Sequence, residues 1–236
     1  MTIEPLRVPS LKDAAIARLE ELVLSGEWQA GTRLPSERDL AEQLGISRPV
    51  LHEALVDLAA KGLVRIEPRR GVFINDFRTS GSLAILSSLL AFQNGQLDPT
   101  LKRSLLAMRV LLEDETARLA ALNRTSEHLE TLQSILEQEA ESPCDPQVLT
   151  ELDFNFHLQI ALASGNLVYP LIINSFQSIY TSLSGSFFQA YCGTDVVKVV
   201  FDFHKELVQA IRIQNSEAAA KIMLEMLRHG ESLLKG

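Results

Sequence analysis

The sequence predicts a mainly α-helical fold in two parts: three short helices closed by a β-hairpin, then an all-α antiparallel helical bundle. Three observations carry that expectation. Apolar residues recur at helical spacing through most of the 236 residues. Only LVRIE and VFIN, on either side of Pro68-Arg69-Arg70-Gly71, alternate with a period of two. Cap and stop residues divide the remainder into helices of ordinary length.

Leu11 to Ser25 carries Ala15, Leu19, Leu22 and Val23 on one face and ends in the SGEW turn. After a loop with Gly31 and Pro35, Ser36-Glu37-Arg38-Asp39 matches a helix-capping signal, and the short helix it starts runs to Leu44, where Gly45 stops it. Ser47 is placed to cap the next helix, Arg48 to Lys61, with Val50, Leu51, Leu55, Leu58 and Ala59 facing inward. The two alternating runs then form a hairpin around a basic turn. Helix, helix, Gly-centred turn, helix and basic hairpin is the plan of a winged helix-turn-helix, a device for placing one helix in a DNA major groove. On that plan Ser47, Arg48 and His52 face base edges and phosphates, Arg33 and Arg38 flank the backbone, and Arg69, Arg70 and Gly71 form the wing tip. Residues 1–76 constitute this domain. They hold ten Lys or Arg against twelve Asp or Glu, so any nucleic-acid contact is a local patch.

Residues 77–83, FRTSGSL, read as a polar linker. Beyond it, residues 84–236 read as a helical effector-binding and dimerisation domain, with helices expected at 83–93, 100–122, 126–141, 146–164, 166–191, 194–214 and 216–234. No apolar run reaches the roughly 18 residues of a membrane span, and no secretory signal opens the chain, so a cytoplasmic protein is expected. The net charge of −8 argues against a surface that coats nucleic acid. Cys144 and Cys192 lie far apart and outside any C-x-x-C spacing, and are expected to be reduced, structural thiols.

The segment ELDFNFHLQIALASGN, residues 151–166, is apolar around almost its whole circumference, yet it carries Asp153 and His157 four residues apart on one face. A buried unpaired carboxylate costs several kcal/mol, so these groups need partners. His204 in VVFDFHKELVQAI and His229 in IMLEMLRHGESLL sit in two other core-packed helices. Asp153, His157, His204 and His229 together suit a divalent ion such as zinc, nickel or manganese, with positions left open for water or an incoming ligand. A metal-free hydrogen-bonded core cluster is the plainer alternative. Glu151 and Glu225 are the nearest candidate bases for a metal-dependent enzyme with an appended helix-turn-helix, but both have ordinary solvated-face explanations. A direct metal sensor is a third reading.

The chain resembles the GntR superfamily of bacterial transcription regulators, in its FadR branch with an FCD effector domain. GEWQAGTRLPSERDLAEQLGISRPVLHEAL followed by KGLVRIEPRRGVFI is similar to that family's winged helix, and MRVLLEDETARLAA, LDFNFHLQIALASGN, FDFHKELVQAI and MLRHGESLL are similar to successive FCD segments. The resemblance implies metal ligation by Asp153, His157, His204 and His229 and DNA contacts by Arg38 and Arg48. On this reading the protein is a homodimer on an approximately palindromic double-stranded operator and responds to a small carboxylate metabolite, with repression expected from the family. His52 stands where the family commonly has Arg, and Arg69 where the wing tip commonly has Gly. Arg109 is the candidate to pair with the effector's carboxylate; the competing role is an i,i+4 pair with Glu113.

Overall fold

The computed structural model describes residues 10–92, 98–142 and 144–233. The chain divides into two compact units, Met1–Leu97 and Asp98–Gly236. The expected ends at Gln93 and Leu234, and the first nine residues of the expected DNA-binding span, lie outside the described residues.

In the first unit, α1 (Leu11–Leu24) is capped by Ser10, whose hydroxyl accepts from the Asp13 amide at 3.1 Å while Asp13 accepts from the Ser10 amide at 3.2 Å. α2 (Glu37–Leu44) is capped by the Ser36 hydroxyl, which accepts from the Asp39 amide at 3.2 Å, and ends at Gly45, whose φ of 66° is the left-handed conformation glycine adopts without penalty. α3 (Arg48–Ala60) follows. The expectation that the Ser47 side chain caps it is corrected: the hydroxyl makes no cap bond, and with Pro49 at the second helical position only the Val50 amide could have supplied one. β1 (Val64–Glu67) pairs antiparallel with β2 (Gly71–Ile74), Val64 opposite Ile74 and Glu67 opposite Gly71. Arg33 bridges to Phe73, so the loop before α2 lies along the hairpin. Leu19, Leu51, Leu55, Leu58, Leu63 and Ile74 fill the core, each contributing about 2 kcal/mol by burial.

The expected linker at 77–83 is also corrected. Asp76 caps a short helix, α4 (Phe77–Ser80), and α5 (Ile85–Phe92) packs on α1 with Ile85 buried. Two features hold this segment to the end of α3. Gly62 has φ 78°, and a Cβ there would lie 2.0 Å from the Ser80 carbonyl oxygen, so no other residue admits the crossing. Lys61 donates to Glu20 at 2.5 Å and to Ser88 at 3.0 Å, and Ser88 donates to Glu20 at 2.8 Å, a closed polar triangle between α3, α5 and α1. The apolar residues of α5 face this core, which is why the polar FRTSGSL composition misplaces the boundary.

The second unit is helical among the described residues: α6 (Pro99–Asn123), α7 (Ser126–Glu141), α8 (Pro146–Ala163), α9 (Tyr169–Ser175), α10 (Gln177–Tyr191), α11 (Asp195–Arg212) and α12 (Ser216–Leu233). Asp98, Thr125, Asp145 and Thr194 supply side-chain caps. α8 is the central element, packing against α6, α7, α9 and α10, with Phe156 and Ile160 fully buried. The single helix expected at 166–191 is two. Phe176 leaves helical geometry (φ −96°, ψ 4°) where no Gly or Pro marks the break; its half-buried side chain lines an apolar cavity, so packing overrides local preference. The cysteine expectation is likewise overturned: Cys144 and Cys192 form a disulfide with Cα atoms 5.7 Å apart. The start of α8 and the end of α10 are brought together because those helices pack side by side, a proximity that a sequence separation of 48 conceals.

Candidate metal centre and nucleic-acid interface

α8 directs Asp153 and His157 inward one turn apart, and α11 brings His204 against them. These three are buried, and one ligand atom from each lies within 4.8 Å of the others, the arrangement a metal ion requires. His204 Nε2 lies 3.7 Å and His157 Nε2 3.9 Å from Asp153 Oδ1.

Each imidazole has a buried glutamate behind it. His204 Nδ1 lies 2.8 Å from Glu139 Oε1 on α7, and His157 Nδ1 contacts Glu113 Oε2 on α6. A carboxylate on Nδ1 fixes the ring and turns Nε2 toward a metal. His204 Nε2 is buried without a hydrogen-bond partner, a vacancy in bonding that costs about 1–3 kcal/mol unless something accepts it. Charge points the same way. Glu113, Glu139 and Asp153 are buried, and Arg109 is the cation beside them. Three buried carboxyl groups against one guanidinium leave the cluster short of positive charge, which a bound cation or a protonated imidazole would supply. The donor set of two nitrogens and an oxygen suits zinc, nickel or manganese.

His229 on α12 is not within that group of three. Its Nε2 is buried and unpaired, and its neighbours Gly230 and Glu231 line the cavity that Asp153 and His157 also line. Arg109 is on α6, where its Nε donates to Glu113 at 2.5 Å, so the i,i+4 pair is realised. Its Nη2 donates to the Tyr180 hydroxyl, and the guanidinium lies 4.0 Å over the Tyr180 ring. Burial pushes the Glu113 carboxyl up, but Arg109 and His157 outweigh it and hold it at about 2. Burial also raises the Tyr180 hydroxyl well above its ordinary value, keeping it neutral. For His204, burial opposes the charged ring, but Glu139 prevails and the pKa is raised.

Glu139 escaped the sequence reading and Glu113 entered it only as a partner for Arg109, although a signal existed for both. Glu139 continues the buried stripe Leu132, Ile135, Leu136 at helical spacing, and Glu113 precedes Ala117 and Ala120 on the same face of α6. A carboxylate in register with a core stripe marks a partner waiting inside.

On the first unit, Arg33, Arg48, Arg69 and Gly71 line one cleft of about 420 Å³ between the starts of α2 and α3 and the hairpin. Arg38, Ser47, His52 and Arg70 are exposed but do not line it. Arg70 turns to Glu67 at 2.7 Å, and His52 Nδ1 lies 3.1 Å from Glu37. Gly71, φ 110°, lets the Arg33 side chain pass close; a Cβ there would stand 3.0 Å from Arg33 Nε. Arg69 has φ 64°, a left-handed conformation that a side chain disfavours.

Residues 11–74 match the model of the bacterial regulatory proteins of the gntR family, and residues 104–229 match the FCD domain. The transcriptional regulator Mce2R of Mycobacterium tuberculosis is 36% identical over 180 residues, 76% of this chain and 74% of that one. LutR of Bacillus subtilis is 29% identical over 217 residues, 91% of this chain and 97% of that one. Lar, a solved structure that controls the Listeria monocytogenes agr system, superposes with a TM-score of 0.66 at 18% identity, covering 98% and 99% of the two chains; it supports the fold alone.

Proposed function

The chain belongs to the gntR family of bacterial regulators and carries an FCD domain, and on that premise we propose that it is a repressor whose helical domain holds a divalent metal and answers to a small carboxylate metabolite. It is a transcription regulator rather than an enzyme, like the relatives it matches. The convergence of Asp153, His157 and His204 with two glutamates behind the imidazoles carries this reading.

In this reading the protein binds as a homodimer, two winged helices meeting half-sites of an approximate palindrome. Arg48, at the first turn of α3, reads a base edge, while Arg33, Arg38, Ser47, His52, Arg69 and Arg70 position the protein on phosphates, with Gly71 giving the wing its close approach. Asp153, His157 and His204 hold the metal, and His229 joins as a further donor through its unpaired Nε2. The metal would supply Lewis acidity toward a ligand oxygen and offset the buried carboxylates. Arg109, with Nε and Nη2 engaged by Glu113 and Tyr180, presents its remaining edge to the effector's carboxylate. The effector shifts DNA affinity only by binding two states of the bundle unequally.

Elemental analysis of the purified untagged protein tests the metal. About one equivalent in the parent, and little in a folded His157→Ala/His204→Ala variant, is the expected result. If both stay metal-free after incubation with zinc, nickel and manganese, the cluster is a hydrogen-bonded core and the metal reading is lost.

A further inference from the structure

Two cavities meet at Arg109. The first, about 60 Å³, is lined by Asp153, His157, Ser184 and Glu231 together with apolar residues that include Phe187, Phe188 and Met226. The second, about 30 Å³, lies among α6, α9 and α10 and is lined by Leu105, Met108, Leu112, Ile173, Ile179 and Leu183. Leu106 and Arg109 line both.

The polar groups of the second cavity are Arg109, Glu113 and Tyr180, and they engage one another. A polar ligand group entering there finds no such partner and loses its hydration, at a cost of about 1–3 kcal/mol. A second carboxylate would fare worse, since it would come beside the Glu113 carboxyl group, which already engages Arg109. The first cavity is lined by the Glu231 carboxyl group as well as Asp153, and beyond the metal position and Arg109 its lining offers no cation to a second anionic group. One anionic head is therefore all the two cavities accommodate, and the rest of the ligand must be apolar.

We infer that the effector is a monocarboxylate bearing a short apolar chain, its head at Arg109 beside the metal ligands and its tail in the cavity of Leu105, Met108, Leu112, Ile173, Ile179 and Leu183. This rests on the carboxylate-effector reading above and adds the ligand's chemical class. The space sets a length. At roughly 10–15 Å³ for each water-sized atom, the cavities take about seven non-hydrogen atoms, which is an acid of five or six carbons.

Calorimetric titration of the metal-loaded full chain with acetate, butyrate, hexanoate and octanoate, and with succinate and citrate, tests this. Affinity is expected to rise about fourfold per methylene as far as five or six carbons and then level off, with succinate weaker than butyrate. The per-methylene gain is expected to persist in metal-free protein, because the tail does not touch the metal. A Leu112→Trp variant, filling the second cavity, is expected to bind acetate as the parent does and to lose the length dependence. Affinity independent of chain length in the parent, or succinate or citrate tighter than butyrate, overturns the inference and leaves the carboxylate effector standing. Failure of every acid, acetate included, on protein carrying one equivalent of metal overturns the carboxylate reading itself.

Discussion

The two units put their charges to opposite uses. In the winged helix the cations stand outside: Arg38, Arg48 and Arg69 are exposed, and apolar residues alone hold most of the core. In the bundle the charges stand inside: Glu113, Glu139, Asp153 and His204 are all buried, and they are arranged around one another. The difference teaches where function and stability separate. Removing an exposed arginine subtracts a contact with DNA and little else, whereas removing a buried carboxylate subtracts from the fold and the site at once.

That contrast is sharpest at Glu139. Glu139→Ala strips the Nδ1 partner from His204, so a loss of about 3 kcal/mol in chemical denaturation is expected, together with a 10- to 100-fold loss of metal affinity by competition with a chelator. Unchanged stability would erase the distinction between the two units. Next in size, Arg48→Ala is expected to reduce discrimination between operator and random DNA by roughly 5- to 100-fold with the melting temperature preserved; equal losses on both DNAs would remove its role as a base reader. Arg33→Ala should weaken specific and random DNA alike and lower the salt dependence of binding by about one counterion, measured by titration across ionic strengths. The smallest effect is expected at the wing. Arg69→Gly relieves a left-handed side-chain residue, which should stabilise the first unit by about 1 kcal/mol while weakening DNA binding. A less stable variant would mean that the conformation at φ 64° is supported by contacts rather than strained.

What could be read from the residues follows the same division. The winged helix was legible almost throughout, because the Ser36 cap, Gly45 and a change of period from 3.6 to 2 are local signals, and α1 to α3 and the hairpin lie where they point. The convergence of Asp153, His157 and His204 was legible too, since a carboxylate inside an apolar helix demands partners. Three things were not legible, and all are tertiary. Phe176 breaks a helix with no breaker in the sequence, Cys144 meets Cys192 only because α8 and α10 are neighbours, and α5 folds onto α1 past a stretch that has linker composition. Glu139 lies between these cases. Its position on the buried stripe of α7 was visible, but its partner on α11 was not.

Gly62 and the Lys61–Glu20–Ser88 triangle bear on how the reading helix can be moved. The chain that leaves the hairpin crosses the foot of α3 within a distance no side chain could fit, and Ser82 donates there to the Lys61 carbonyl at 3.0 Å. α5 is anchored at the same end through Ser88. The first unit therefore has a fixed point at the C-terminal end of α3, opposite the end that carries Arg48. Arg48 lies a whole helix length from that anchor, so any rotation of α3 about its foot would displace Arg48 more than any other residue of the helix.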